Sequence, residues 1–259
     1  MKYNLLSLFL LMGLYCQAGV FEVAKEFQKT ISKEFPISAD GEVAIHNKYG
    51  KIDIHTGNYS QVKINITITV DANNADKADE VFERISVDFS HTENFVKAVT
   101  NIESKSSGWF SWASNNSSSY KIDYDVEMPI GCSLDLKNKY GHSYVDNLKN
   151  DADFEIKYGN LQTEDIEGDV EVVLGYGKGN LGVLNDLKLL IKYSQFETDK
   201  VNNIFSESKY SGINFSDIDG ELDVVSKYDN YTIGSASDIE FEGKYGNLVI
   251  DKVKDIDIN

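Results

Sequence analysis

From Leu134 onward, apolar and polar residues alternate in short runs, and a tyrosine interrupts each run. These tyrosines are Tyr140, Tyr158, Tyr176, Tyr193, Tyr210, Tyr228 and Tyr245, spaced 18, 18, 17, 17, 18 and 17 residues apart. Apolar positions keep register with them. Four residues before each stand Leu136, Phe154, Val172, Leu189, Ser206, Val224 and Phe241. Five residues after each come Val145, Thr163, Leu181, Thr198, Phe215, Ile233 and Ile250. A period of two predicts strands with one buried face, and no period of 3.6 runs through the array to suggest helical repeats. Each unit is expected to be two short strands separated by a bend. One such pair cannot bury its apolar side, whereas a stack can. Coils about 4.8 Å apart would turn each column into a ladder of like residues. A fully buried Leu, Ile or Phe contributes about 1.5–3 kcal/mol, enough to offset chain entropy only when coils stack.

Lysine precedes six of the seven tyrosines, with Gly175 in its place once, and Gly, Ser or Asp follows. The small following residue predicts a bend or bulge. The tyrosines share parity with the apolar columns. Their rings are therefore expected to point inward or to line a corner, stacked as a structural ladder rather than forming a stripe that grips sugars. The lysines have the opposite parity and should face water, with acidic neighbours relieving their mutual repulsion.

An eighth copy, "VAIHNKYGKIDIHTG", occupies Val43–Gly57 and is separated from the array by a long excursion. The excursion holds an alternating strand, "QVKINITITV", and one helix, "NADKADEVFERI", with Asp71 or Asn74 as its cap. The strands "SVDF", "NFVKAVTNI" and "YKIDYDVEMP" follow, and Pro129 and Gly131 turn the chain into the repeats. The expected fold class is all-β: a parallel β-helix or solenoid of 17–18-residue coils with an N-terminal strand-plus-helix cap. The expected division is a signal peptide over 1–18, a cap region over 19–131 and the repeat array over 132–259.

The signal peptide rests on Lys2, the apolar run Leu5 to Leu14, and Cys16-Gln17-Ala18, which predicts cleavage after Ala18. The run is short for a bilayer span. A lipoprotein signal would want a small residue before Cys16, where Tyr15 stands. Cleavage leaves 24 basic and 42 acidic residues, a net charge near −18. Phosphate backbones would be repelled, so nucleic acid is not an expected partner. Cys132 is then the only cysteine, so no internal disulfide can form, and a buried apolar role is expected for it.

Candidate chemistry is sparse. "SKSSGWFSWASNNSSSY", Ser104 to Tyr120, sets Trp109, Phe110 and Trp112 among serines and asparagines, a candidate interaction surface for a glycan, a lipid surface or a protein. His46, His55, His91 and His142 show no metal-ligand spacing. Asp146, Glu164, Asp199 and Asp251 could pair at coil spacing as a glycosidase requires, yet such pairs arise by chance in so acidic a chain. Calcium could sit on Glu164-Asp165 or on Asp217 with Asp219, although the glycine-aspartate nonapeptide of calcium β-rolls is missing. No cofactor is expected.

The "NKYGKIDI" of Asn47–Ile54, the "YDVEMPIGCSLDLKNKYG" of Tyr124–Gly141 and the recurring KYG coils resemble the bacterial putative-adhesin domain family, exported proteins of unknown biochemical role. The likeness runs from about Glu34 to the C terminus. It implies a right-handed β-helix-like fold outside the cytoplasm and supplies no catalytic residues. The expected function is a non-enzymatic exported solenoid for adhesion, envelope interaction or scaffolding, in the periplasm, at the cell surface or beyond it. Its expected partner is a glycan or an envelope protein, and the mature chain is expected to carry no transmembrane segment. Alternatives are a glycoside hydrolase-like β-helix enzyme and a protein-binding module using the Trp109–Trp112 loop.

Overall fold

A computed structural model describes residues 25–103 and 119–259. The expected signal peptide and Trp109, Phe110 and Trp112 lie outside the described residues. Among the described residues, no helix is long and apolar enough to cross a membrane.

The repeats form a stack of parallel coils. One wall comprises β2 (Glu42–Lys48), β8 (Ser133–Lys139), β10 (Ala152–Lys157), β12 (Val170–Gly175), β14 (Leu187–Lys192) and β16 (Ile204–Lys209), paired in that order. The other comprises β3 (Ile52–Gly57), β9 (Ser143–Val145), β11 (Leu161–Thr163), β13 (Lys178–Leu184) and β15 (Gln195–Val201). In the last coils the two walls merge into the long strands β17 (Gly212–Lys227), β18 (Asn230–Lys244) and β19 (Asn247–Ile258). The register is column on column: Leu134, Ala152, Val170, Leu187 and Ile204 meet across successive strands, as do Leu136, Phe154, Val172, Leu189 and Ser206. These inward side chains are buried.

The eighth copy belongs to the stack. Although far away in sequence, β2 and β3 lie directly on β8 and β9. The excursion covers their other side. Strand β6 (Phe95–Ile102) runs parallel to β2, and β7 (Ser119–Pro129) runs parallel to β3. Antiparallel neighbours complete the front: β5 (Ile85–Thr92) on β6, β4 (Gln61–Ala72) on β7, and β1 (Lys25–Pro36) on β4. The helix, α1 (Ala75–Phe82), buries Ala78 and Val81. Asn74, not Asp71, caps it: Asn74 Oδ1 accepts from Lys77 N at 3.0 Å. Cys132 is fully buried, and burial pushes its thiol up to about 11 despite an opposing backbone hydrogen bond from Gly41.

The bend differs from the expected device. Every motif tyrosine takes the left-handed conformation itself, with φ from 53° to 64°, and among the described residues no glycine has positive φ. The small residue that follows answers a different need. A Cβ on Gly159 would stand 1.9 Å from Gly141 O, and one on Gly177 would stand 1.8 Å from Gly159 O. Here the coils touch backbone to backbone. Where Ser or Asp replaces this glycine, the side chain bonds to the coil before it. Ser194 Oγ accepts from Gly177 N at 3.1 Å, and Asp229 Oδ1 accepts from Ser211 N at 2.6 Å.

Gly159→Ala should therefore lower stability by about 1–3 kcal/mol or more, read from the denaturant midpoint. Gly212→Ala, where an added Cβ meets nothing within 4 Å, should leave the midpoint nearly unchanged.

Candidate functional site

The tyrosine corner is the most regular surface of the molecule. Eight rings, from Tyr49 through Tyr140, Tyr158, Tyr176, Tyr193, Tyr210 and Tyr228 to Tyr245, stack with centroids 4.8–5.0 Å apart and planes within 13°. At the front, Tyr120 closes the column edge-on against Tyr49 at 5.5 Å. The rings line a corner, as one of the two expected arrangements has it, but they do not point inward. From Tyr49 to Tyr228 they are 40–49% exposed, and Tyr245 is 75% exposed. The left-handed turn swings each side chain out of the strand alternation on which the inward expectation rested.

A left-handed non-glycine residue costs roughly 1–2 kcal/mol. Each rung recovers this from two sources. An aromatic contact contributes about 0.5–1.5 kcal/mol. A backbone bond contributes a similar amount: Tyr140 N donates to Lys157 O at 2.9 Å, and Tyr193 N donates to Lys209 O at 3.0 Å. The ring spacing equals the strand spacing, so both interactions are satisfied at once.

Beside the rings runs a column of lysines: Lys48, Lys139, Lys157, Lys192, Lys209, Lys227 and Lys244. Three ammonium groups sit over the adjacent ring, Lys139 at 4.8 Å, Lys209 at 5.3 Å and Lys227 at 5.6 Å from the centroid. The acidic neighbours expected to flank this column are there, Glu155, Glu207 and Glu242, but they do not close on it: among the described residues, none of the seven lysines has a carboxylate within 4.0 Å. Other lysines do reach partners. Lys178 meets Glu197 at 2.7 Å, and Lys200 meets Asp219 at 2.9 Å.

The acidic residues serve the fold. A groove of about 520 Å³ contains Asp151, Asp153, Asp169, Glu171, Asp186 and Asp223. Asp153 is pushed up by burial, then by the nearby Glu171, Asp135 and Asp151. Several of these groups are tied to the next coil. Asp151 Oδ1 accepts from Asp169 N at 2.9 Å, and Asp186 Oδ1 accepts from Asn203 N at 3.2 Å. The candidate calcium pairs are engaged too: Asp165 Oδ1 accepts from Val183 N at 2.8 Å, and Lys200 lies between Asp217 and Asp219. Of the candidate glycosidase carboxylates, Asp146 accepts from Thr56 N and Glu164 accepts from Tyr144 OH. His46 and His55 each contact one carboxylate on the next coil, Asp135 at 2.8 Å and Asp146 at 3.4 Å. Burial alone would raise Asp135, but the His46 hydrogen bond and the charges of His46, Lys137 and Lys97 outweigh it and hold the group low. Among the described residues, no group of three or more His, Cys, Asp or Glu side chains could hold a metal ion.

A polar knot inside the last coils was not legible in the sequence. Tyr231 OH lies 2.8 Å from Ser206 Oγ and 2.7 Å from Ser208 Oγ. Ser208 and Ser226 both donate to buried Asp229 at 2.8 Å. At the front, Tyr124 OH bonds Thr100 Oγ1 at 2.7 Å. Burial drives both phenols up to about 12, against the hydrogen bonds to Thr100 or to the serines.

No family model and no curated protein matches the chain. Solved structures similar in shape include a putative adhesin from Bacteroides fragilis, at 13% identity and TM-score 0.43, covering 89% of this chain and 97% of the other. Another is described as a putative lipid binding protein from Parabacteroides distasonis, at 11% identity and TM-score 0.42, covering 88% and 96%. A putative adhesin from Parabacteroides merdae covers the same shares at 9% identity and TM-score 0.39. Two of these are described by the words that name the family the KYG motifs resemble, putative adhesin. At such identities the likeness concerns shape and not chemistry.

Two outcomes test the energetics of this surface. Tyr176→Phe keeps the stack and should stay within about 0.5 kcal/mol of wild type in chemical denaturation, whereas Tyr176→Ala should lose about 1–2 kcal/mol. Tyr124 and Tyr231 hold their protons more tightly folded than at the ordinary phenol value of 10.0. Their contribution is complete below that value and is lost as pH rises towards about 12. The melting temperature should fall across that window, and less steeply in the variant carrying both Tyr124→Phe and Tyr231→Phe.

Proposed function

We propose that this chain is a non-enzymatic solenoid that acts outside the cytoplasm by surface recognition, as an adhesin-like or envelope scaffold protein. In this reading residues 19–131 cap the array around its first coil, Val43–Gly57, and the lysine–tyrosine ridge is its contact surface. The observation that carries the reading is the uniform ridge, with one exposed ring and, in seven of its eight coils, one unpaired ammonium group. A catalytic centre gathers different groups at one point. This surface repeats the same two groups along a line, which suits binding an extended partner in many weak contacts.

The carboxylates at coil spacing support the alternative less well. Asp146 and Glu164 are hydrogen-bonded to backbone or to a neighbouring tyrosine, so they act as coil fasteners.

Purified protein should sediment with isolated bacterial envelope fragments and release no soluble sugar from them. Lys192→Gln, Lys209→Gln, Lys227→Gln and Lys244→Gln in one chain should abolish sedimentation without lowering the melting temperature. Undiminished sedimentation of that variant would remove the ridge as the contact surface. Sugar release abolished by a single carboxylate substitution would replace the reading with the enzymatic one.

A further inference from the structure

The ridge is an island of unpaired positive charge on a chain of net charge −17. Lys192, Lys209, Lys227 and Lys244 occupy four successive coils, and Lys48, Lys139 and Lys157 occupy three more. Only Gly175 interrupts the column. The column on the far side of the rings runs from His142 through Asn160 and Lys178 to Asn247 and contains no carboxylate. On the near side Glu155, Glu207 and Glu242 stand two residues upstream, and none comes within 4.0 Å of a ridge ammonium. Keeping like charges in a row without partners is unfavourable, and an anion laid along the row would relieve it.

The geometry restricts that anion. Ring faces are covered by neighbouring rings at about 5 Å, so sugars cannot stack on them between Tyr140 and Tyr228. What the ridge offers to solvent is a row of phenol edges and hydroxyls, which donate or accept, beside a row of ammonium groups, which only donate, both at coil spacing. A pyranose in an extended glycan advances along its chain by a length close to the strand spacing of about 4.8 Å. Phosphates of a single strand lie farther apart, and a bilayer offers charge in two dimensions rather than along one line.

Resting on the reading of the ridge as the contact surface, we propose that its partner is a linear anionic glycan with about one carboxylate or sulfate per sugar, bound lengthwise. Lysine ammonium groups meet the anions, and tyrosine hydroxyls bond the ring and linkage oxygens. Because every coil but that of Tyr176 adds the same contact, affinity grows with oligomer length until the ligand spans the ridge.

The test measures binding of the full mature chain to polygalacturonate, to the same polymer fully methyl-esterified, and to a sulfated galactan. Parallel arms use anionic phospholipid vesicles and single-stranded polythymidylate. The proposal expects binding to polygalacturonate or the sulfated galactan, and these two arms tell carboxylate from sulfate. Esterification should abolish the first. Affinity should rise from di- to octagalacturonate. The four ridge Lys→Gln substitutions should lower it at least about tenfold and flatten its salt dependence. A control carrying Lys178→Gln, Lys188→Gln, Lys200→Gln and Lys252→Gln changes net charge equally and should stay within about threefold. Equal losses in both variants, equal binding of the esterified polymer, or preference for vesicles or polythymidylate would each overturn the proposal. If neither glycan binds while envelope sedimentation still depends on the ridge lysines, the partner class is wrong and the contact surface stands.

Discussion

The structure depends on one equality: the distance between hydrogen-bonded strands is also a good distance between stacked aromatic rings. Because the two agree, a tyrosine can stand at the same corner of every coil and gain a ring contact for each backbone step. The left-handed turn at that residue would be unfavourable alone. Repeated in register, it becomes the seam that keeps each coil above the last, since a coil shifted by one residue would forfeit both the ring contact and the Tyr N–H bond.

The seam also divides labour among polar residues. Near the start of some coils a carboxylate or an asparagine oxygen accepts from an amide of the next, as Asp151 does for Asp169, Asp186 for Asn203 and Asn203 for Glu221. Serines and Asp229 near the corner replace backbone contacts where the coil shortens or the glycine is lost. These carboxylates are thereby committed to holding coils together, while the lysines beside the tyrosines touch rings at most and no carboxylate. Function is best sought where polar groups have no structural employment.

The array was readable because its signals are periodic: a one-residue motif every 17 or 18 positions fixes both the coil and its register. Besides the polar knot, three things were not readable. The direction of the tyrosine rings depends on φ at the bend, and parity counting assumes the strand continues through it. Strand β1 escaped because Phe27, Ile31 and Phe35, half-buried and spaced by four, fit one face of a strand as well as one turn of a helix. The absence of partners for the lysine column is three-dimensional, since Glu155, Glu207 and Glu242 lie near it in sequence yet do not reach it.

Coils with interchangeable corners have a genetic corollary. Duplicating a glycine-cornered unit such as that of Tyr158 keeps ring on ring and glycine on glycine at each new junction, whereas the coils tied by Ser206, Ser208 and Asp229 are not interchangeable. Slippage between similar stretches of coding sequence could thus lengthen or shorten the rod by whole rungs and adjust its grip in discrete steps, without any new side chain having to be invented.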